Sequence, residues 1–188
     1  PAAEAESVTE ITGAAGNEAK AEGADGAGTL KAFLSGTAVP LEKVPDEVFS
    51  QHIMGDGMAI EPTDNTVVAP ADAEVTVVME DSNATVSSVI EDSKHACGLT
   101  LANGMELLIH VGIDTVNMQG DGFEMFVKQG DKVRCGQPLL RFDPEKIKAA
   151  GYPTITVFVV TDEGKAKNVT FATGEDVKAG ETDIVRFE

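Results

Sequence analysis

Two of the three histidines, His95 and His110, end the segment HACGLTLANGMELLIH (95–110). Asn103-Gly104 lies between its two apolar runs, and both residue types accept positive φ, so the segment reads as a β-hairpin. A two-residue turn there pairs Ala102 with Met105, Leu101 with Glu106, Leu99 with Leu108 and Cys97 with His110. His95 then shares a face with His110 as its diagonal neighbour. Such neighbours stand roughly 7–8 Å apart, within reach of two large rings. A slip of one residue would break this arrangement, because it turns one strand's side chains to the other face.

One histidine at the end of LLIHVGIDTV (107–116) reads as a core residue satisfied by a single hydrogen bond. A second ring facing it changes that reading. Two buried cations repel, so at least one imidazole should be neutral and nucleophilic near neutral pH. Two chemistries stay open. The pair could bind a metal, with Asp114 or Asp56 as third ligand. Alternatively, one ring could accept a transferred group while the other steadies it. His52 falls between turns with no evident partner and reads as surface. No P-loop, dinucleotide fingerprint or HExxH is present. Cys97 and Cys135 form no CxxC pair, and buried apolar filler is the expected role, with a disulfide left open.

The elements that must hold these residues are short strands. TVVAPADAEVTVVM (66–79) and ITVFVVT (155–161) are rich in β-branched residues, and Gly, Pro, Asn and Asp break the chain at short intervals. We expect an all-β antiparallel sandwich or barrel with few short helices. Pro45–Phe49 predicts one turn of helix. Asp143-Pro144 followed by residues up to Gly151 predicts a short capped helix. GDKVRCGQPLLRFD (130–143) matches GEDVKAGETDIVRFE (174–188), with one inserted residue before the final apolar stretch. The repeat predicts a duplicated substructure.

Residues 1–30 are mostly Ala, Gly and Glu, with six acids against Lys20. They bury too little to offset their ordering entropy and read as a flexible linker or tail. The folded domain is expected over 31–188. A chain opening at Pro1 fits either a piece of a longer polypeptide or loss of an initiator methionine. No signal peptide and no spanning helix are expected. The formal net charge is −18, which disfavours nucleic acid and anionic membrane as partners and favours a basic protein.

SGTAVPLEKVPDEVFS (35–50), MGDGMAIEPTDNTVVAPADAEV (54–75), KHACGL (94–99), LLIHVGIDTV (107–116) and GDGF (120–123) together resemble the enzyme IIA domain, glucose family, of the bacterial phosphoenolpyruvate-dependent sugar phosphotransferase system. The resemblance runs from about Leu34 to the C-terminus. It implies a β-sandwich with a duplicated hybrid motif, and it implies a phosphotransferase component working through a phosphohistidine. His110 would accept phosphate at Nε2 from the histidine-containing phosphocarrier protein and pass it to a cysteine of the IIB domain. His95 would be the supporting ring. Ser93 stands where the family usually has threonine, orienting His95. Asp56 and Asp114 match its two acidic positions near the site. No cofactor or metal is implied. The expected location is the cytoplasm, with tethering to the inner face of the membrane only through IIB and IIC domains. Regulatory binding of other proteins is also implied.

Two other readings are weaker. A zinc hydrolase would use His110-x-x-x-Asp114 but also needs a His-x-His pair, which is absent. A biotin- or lipoate-carrier domain would share the turn geometry of KQGDKVRCGQPLLRFD but lacks the lysine hairpin.

Overall fold

The computed structural model describes residues 28–76 and 94–188. Ser93, residues 1–27 and the end of the expected strand at 77–79 lie outside the described residues. Fourteen strands carry the described fold, and all their pairings are antiparallel. Two short α-helices join them, α1 (Glu47–Ser50) and α2 (Pro144–Ala149). Asp143 caps α2 by accepting from the backbone N–H groups of Glu145 and Lys146, and Pro144 opens it, as its sequence predicts. Asp46 caps α1 by accepting from Val48 N–H. No helix among the described residues is long and apolar enough to cross a membrane.

The main sheet has eight strands. One half is β13 (Asp176–Val177), β2 (Gly36–Pro40), β3 (Asp56–Pro62) and β11 (Thr156–Asp162). The other is β7 (Glu106–Val111), β6 (Ala96–Thr100), β5 (Ala73–Thr76) and β9 (Lys132–Val133). Read outward from the centre, the halves match strand for strand. The smaller sheets match as well. In one, β14 (Asp183–Phe187) lies between β1 (Gly28–Lys31) and β12 (Thr170–Phe171). In the other, β10 (Pro138–Phe142) lies between β4 (Thr66–Val68) and β8 (Phe123–Met125).

The sequence repeat falls on this symmetry. Gly130 N–H donates to Val75 O and Gly174 N–H to Ala38 O, while Gly136 N–H donates to Ala69 O and Gly180 N–H to Ala32 O. Each repeat glycine thus ties its strand to the equivalent strand of its own half. Carrying the register across makes Asp56 the counterpart of His95 and Val159 the counterpart of His110. Only one half carries the ring pair.

β1 corrects the expected linker boundary. Gly28–Lys31 pairs with β14, Leu30 is 1% exposed, and Lys31 Nζ reaches Asp183 Oδ1 at 2.6 Å. Composition misled here because Gly28 and Thr29 carry little apolar surface themselves. Their backbone groups complete a sheet that the rest of the chain builds.

β7 lies between β6 and β11, so its backbone is paired on both sides. Leu107, Ile109 and Val111 face the larger core. Leu108 packs on the other side with Leu41, Val44, Phe49, Ile155, Val157 and Val159. Burial on both faces explains the unbroken apolar run, each buried Leu or Ile contributing roughly 1.5–3 kcal/mol.

Candidate functional site

His110 occupies the penultimate position of β7, opposite Ala96 on β6 and Val157 on β11. It belongs to the face that carries Leu108 and the smaller core. Its Nδ1 lies 2.9 Å from the carbonyl oxygen of Gly112. A carbonyl can only accept, so Nδ1 carries the proton and the neutral ring keeps its lone pair on Nε2. Gly112 can turn its carbonyl back because it sits at φ 74°, a left-handed conformation that disfavours other residues. A Cβ there would lie 2.5 Å from Thr115 Cγ2 and 2.9 Å from Pro153 O. Thr115, fully buried, donates its hydroxyl to Val111 O and holds the turn from below.

His95 meets His110 edge-on, with ring centroids 4.6 Å apart and planes at 83°. The contact does not arise from the expected hairpin register. β6 and β7 pair Ala96 with His110 and Leu99 with Leu107, a shift of one residue. The loop has three residues instead of two. Gly104 N–H donates to Leu101 O, Asn103 Oδ1 accepts from Met105 N–H, and Gly104 takes φ 89°. That is a turn followed by a left-handed bulge residue, the common three-residue hairpin. In this register His95 O accepts from Val111 N–H, one step past the regular ladder. Lys94, at φ 62°, bends the chain just before it. His95 meets His110 from the position just outside β6, fully buried, while His110 is 8% exposed.

A third ring, Phe49 on α1, lies 5.2 Å from His110 at 56°. Sequence reasoning gave Phe49 no role, although it lies in the quoted VPDEVFS stretch. Val48 and Ile53 stand exposed at 42% and 66% on the same short segment. Leu108, on the histidine face, is fully buried. Its face is covered by α1 and the turn before it.

The two acidic residues sit in different settings. Asp56, at the start of β3, is exposed and bonds His52 Nδ1 at 2.8 Å. Asp114 is exposed at φ 63° and does not cap the 3-10 turn that follows it. Among the described residues no group of three or more His, Cys, Asp or Glu side chains could hold a metal ion. His52 is corrected too. Its Nε2 lies 2.7 Å from Glu42 Oε2, so it has two carboxylate partners. Those bonds, Glu42 first and Asp56 second, hold its pKa above the ordinary histidine value. Cys97 and Cys135 are free thiols, and burial pushes Cys97 up to about 12.

A duplicated all-β fold presenting a nearly buried histidine, with its Nδ1 bonded to a carbonyl and a second ring against it, defines a class of protein suited to carrying a group on nitrogen. A family model described as phosphoenolpyruvate-dependent sugar phosphotransferase system, EIIA 1, matches residues 28–166. The glucose-specific EIIA component of Halalkalibacterium halodurans is 42% identical over 159 residues, covering 85% of each chain. A glucoside-specific EIICBA component from Staphylococcus carnosus is 41% identical over 158 residues, 84% of this chain and 21% of that protein. The solved glucose permease IIA from Mycoplasma capricolum superposes with a TM-score of 0.69 at 31% identity, covering 84% of this chain and 94% of that one. The chain belongs to the EIIA 1 family, the phosphotransferase components of phosphoenolpyruvate-dependent sugar transport.

Proposed function

We propose that His110 Nε2 accepts a phosphoryl group from the histidine-containing phosphocarrier protein and passes it to a cysteine of a IIB domain. The observation that carries this reading is the bond from His110 Nδ1 to Gly112 O, which leaves the lone pair on Nε2. In the loading step that lone pair attacks phosphorus, an N–P bond forms, and the donor's N–P bond breaks with its electrons returning to the donor nitrogen. In the unloading step a thiolate attacks the same phosphorus, an S–P bond forms, and the lone pair returns to Nε2. Both steps exchange one bond for another, and neither consumes a nucleotide.

The phosphoryl brings roughly −1.5 to −2 charges into a protein of formal net charge −18. Local donors must therefore hold it. The edge-on ring of His95 is the nearest candidate, and basic groups of the docked partner are the others. The exposed Val48 and Ile53 offer an apolar docking rim beside Phe49. Ser93 would orient His95, and Asp56 and Asp114 would face a basic partner from the margin of the site.

Relatives of nearly equal identity carry names for glucose and for glucosides, which supports a role that does not itself select the sugar. Its role is in the glucose-family range of transport, with the sugar chosen elsewhere. The Staphylococcus carnosus relative combines C, B and A components in one chain, which supports IIB and IIC domains as partners and a place at the inner membrane face.

The test mixes the purified chain with phosphoenolpyruvate, enzyme I and the phosphocarrier protein, then maps acid-labile phosphate by mass spectrometry. Phosphate on His110 is expected. Phosphate on His95 or His52 instead, or none at all, overturns the assignment.

A further inference from the structure

We propose that His52 is a positioning residue for the acceptor site, an imidazolium clamp whose loss of a proton weakens docking of the phosphoryl donor protein. The inference rests on the acceptor reading of His110.

The geometry requires the charged form. His52 Nδ1 lies 2.8 Å from Asp56 Oδ1, and Nε2 lies 2.7 Å from Glu42 Oε2. Ionised carboxylates only accept, so both ring nitrogens must donate, which only the imidazolium can do. A neutral ring keeps one bond and turns a lone pair on the other carboxylate. The bonds also hold the ring's pKa up, so the clamp persists toward neutral pH.

The clamp joins three segments. Glu42 belongs to the 3-10 turn Leu41–Lys43, and Asp56 opens β3. His52 itself follows α1 at φ 61°, with its N–H donating to Phe49 O and its carbonyl accepting from Gly55 N–H. Ile53 N–H donates to Val48 O in the same turn. Holding His52 therefore holds the turn that presents Val48 and Ile53 and seats Phe49 against His110.

Glu42 and Asp56 are the carboxylates facing His52 from the packed elements. On α1, Asp46 is committed to its capping bond with Val48 N–H, and Glu47 is exposed. Lys43, beside Glu42, is exposed. Without the clamp, the turn that supports the apolar patch is no longer tied.

The test measures KM and kcat for phosphorylated phosphocarrier protein between pH 6 and 9, with wild type, His52→Lys and His52→Gln. The His52 titration is followed in the protein alone by NMR. The wild-type KM should rise roughly two- to fivefold, the size exposed ion pairs support, as pH passes the His52 pKa. His52→Lys keeps a cation and should hold the low KM across the range. His52→Gln should show the raised KM already at pH 6. Little change in kcat is expected for either. A wild-type pH profile in His52→Lys, or a wild-type KM at pH 6 in His52→Gln, overturns the clamp. Should His110 take no phosphate in any variant, the acceptor reading fails instead. The clamp is then judged by whether the ring signals of Phe49 and His110 shift as His52 titrates, and unmoved signals overturn it.

Discussion

The Nδ1 atom of His110 donates to the carbonyl oxygen of Gly112 across 2.9 Å, and this one bond assigns the ring's tautomer. Nitrogen-15 NMR of the unmodified protein should show Nδ1 protonated and Nε2 bare at pH values where the ring is neutral. After phosphorylation the Nε2 signal should move, with Nδ1 keeping its proton. A phosphate on Nδ1 would contradict the geometry.

Gly112→Ala should cost stability and function together. Its φ of 74° penalises a Cβ by about 1–2 kcal/mol. The added atom also meets Thr115 and Pro153 O at short range. Relief of that crowding moves the carbonyl that orients His110. Chemical denaturation should show a lower midpoint, and phosphorylation of His110 should slow even where the variant remains folded.

His95→Gln should separate the two halves of the reaction. Glutamine retains a hydrogen-bond donor beside His110, so loading from the phosphocarrier protein persists. Transfer to the IIB cysteine should fail, because the edge-on imidazole no longer supports the departing phosphoryl. Single-turnover assays of each step check this. His110→Ala should abolish both, since it removes the nucleophile.

The Glu42–His52 pair should shape stability against pH on both flanks. The bond lowers the pKa of Glu42 and raises that of His52. Its contribution is present above the unfolded carboxylate value of about 4.3 and below the unfolded histidine value of about 6.5. It is lost as pH falls through the lowered pKa of folded Glu42, or rises through the raised pKa of folded His52. Urea midpoints of wild type and Glu42→Gln, compared from pH 3 to 9, should differ most inside that window. The difference should be small, because Glu42 is exposed and His52 only half-buried.

Thiol reactivity should distinguish the two cysteines. Cys97, buried on β6 with its pKa pushed up to about 12, should resist iodoacetamide at pH 8 until the protein unfolds. Cys135 is half-buried, and burial raises it first, with the charge of Asp72 second. It should react in the folded protein, more slowly than an exposed thiol. Rapid labelling of Cys97 under native conditions would contradict the packing of the main sheet.

The local features of the sequence determined a good deal by themselves. Asp143-Pro144 specified its helix start because a cap and a proline act within one turn. The β-branched runs specified strands, and the repeated Gly-x-x-Val segments specified a duplication now visible in matched hydrogen bonds. The two histidines that touch were the two singled out, from their spacing around a turn. What the tertiary structure decided was everything that depends on non-local contacts. Asn103-Gly104 permits both two- and three-residue hairpins, and the longer loop is chosen where Asn103 also accepts from Lys165 N–H on a distant segment. That choice shifted the register by one, and His95 meets His110 from the position just outside β6 rather than in the expected register. Phe49 against His110, and Glu42 and Asp56 on His52, join residues from separate segments through packing that no local propensity encodes. Gly28–Lys31 became a strand for the same reason: an edge of β14 was waiting for a partner, and backbone groups need no apolar side chain to pair.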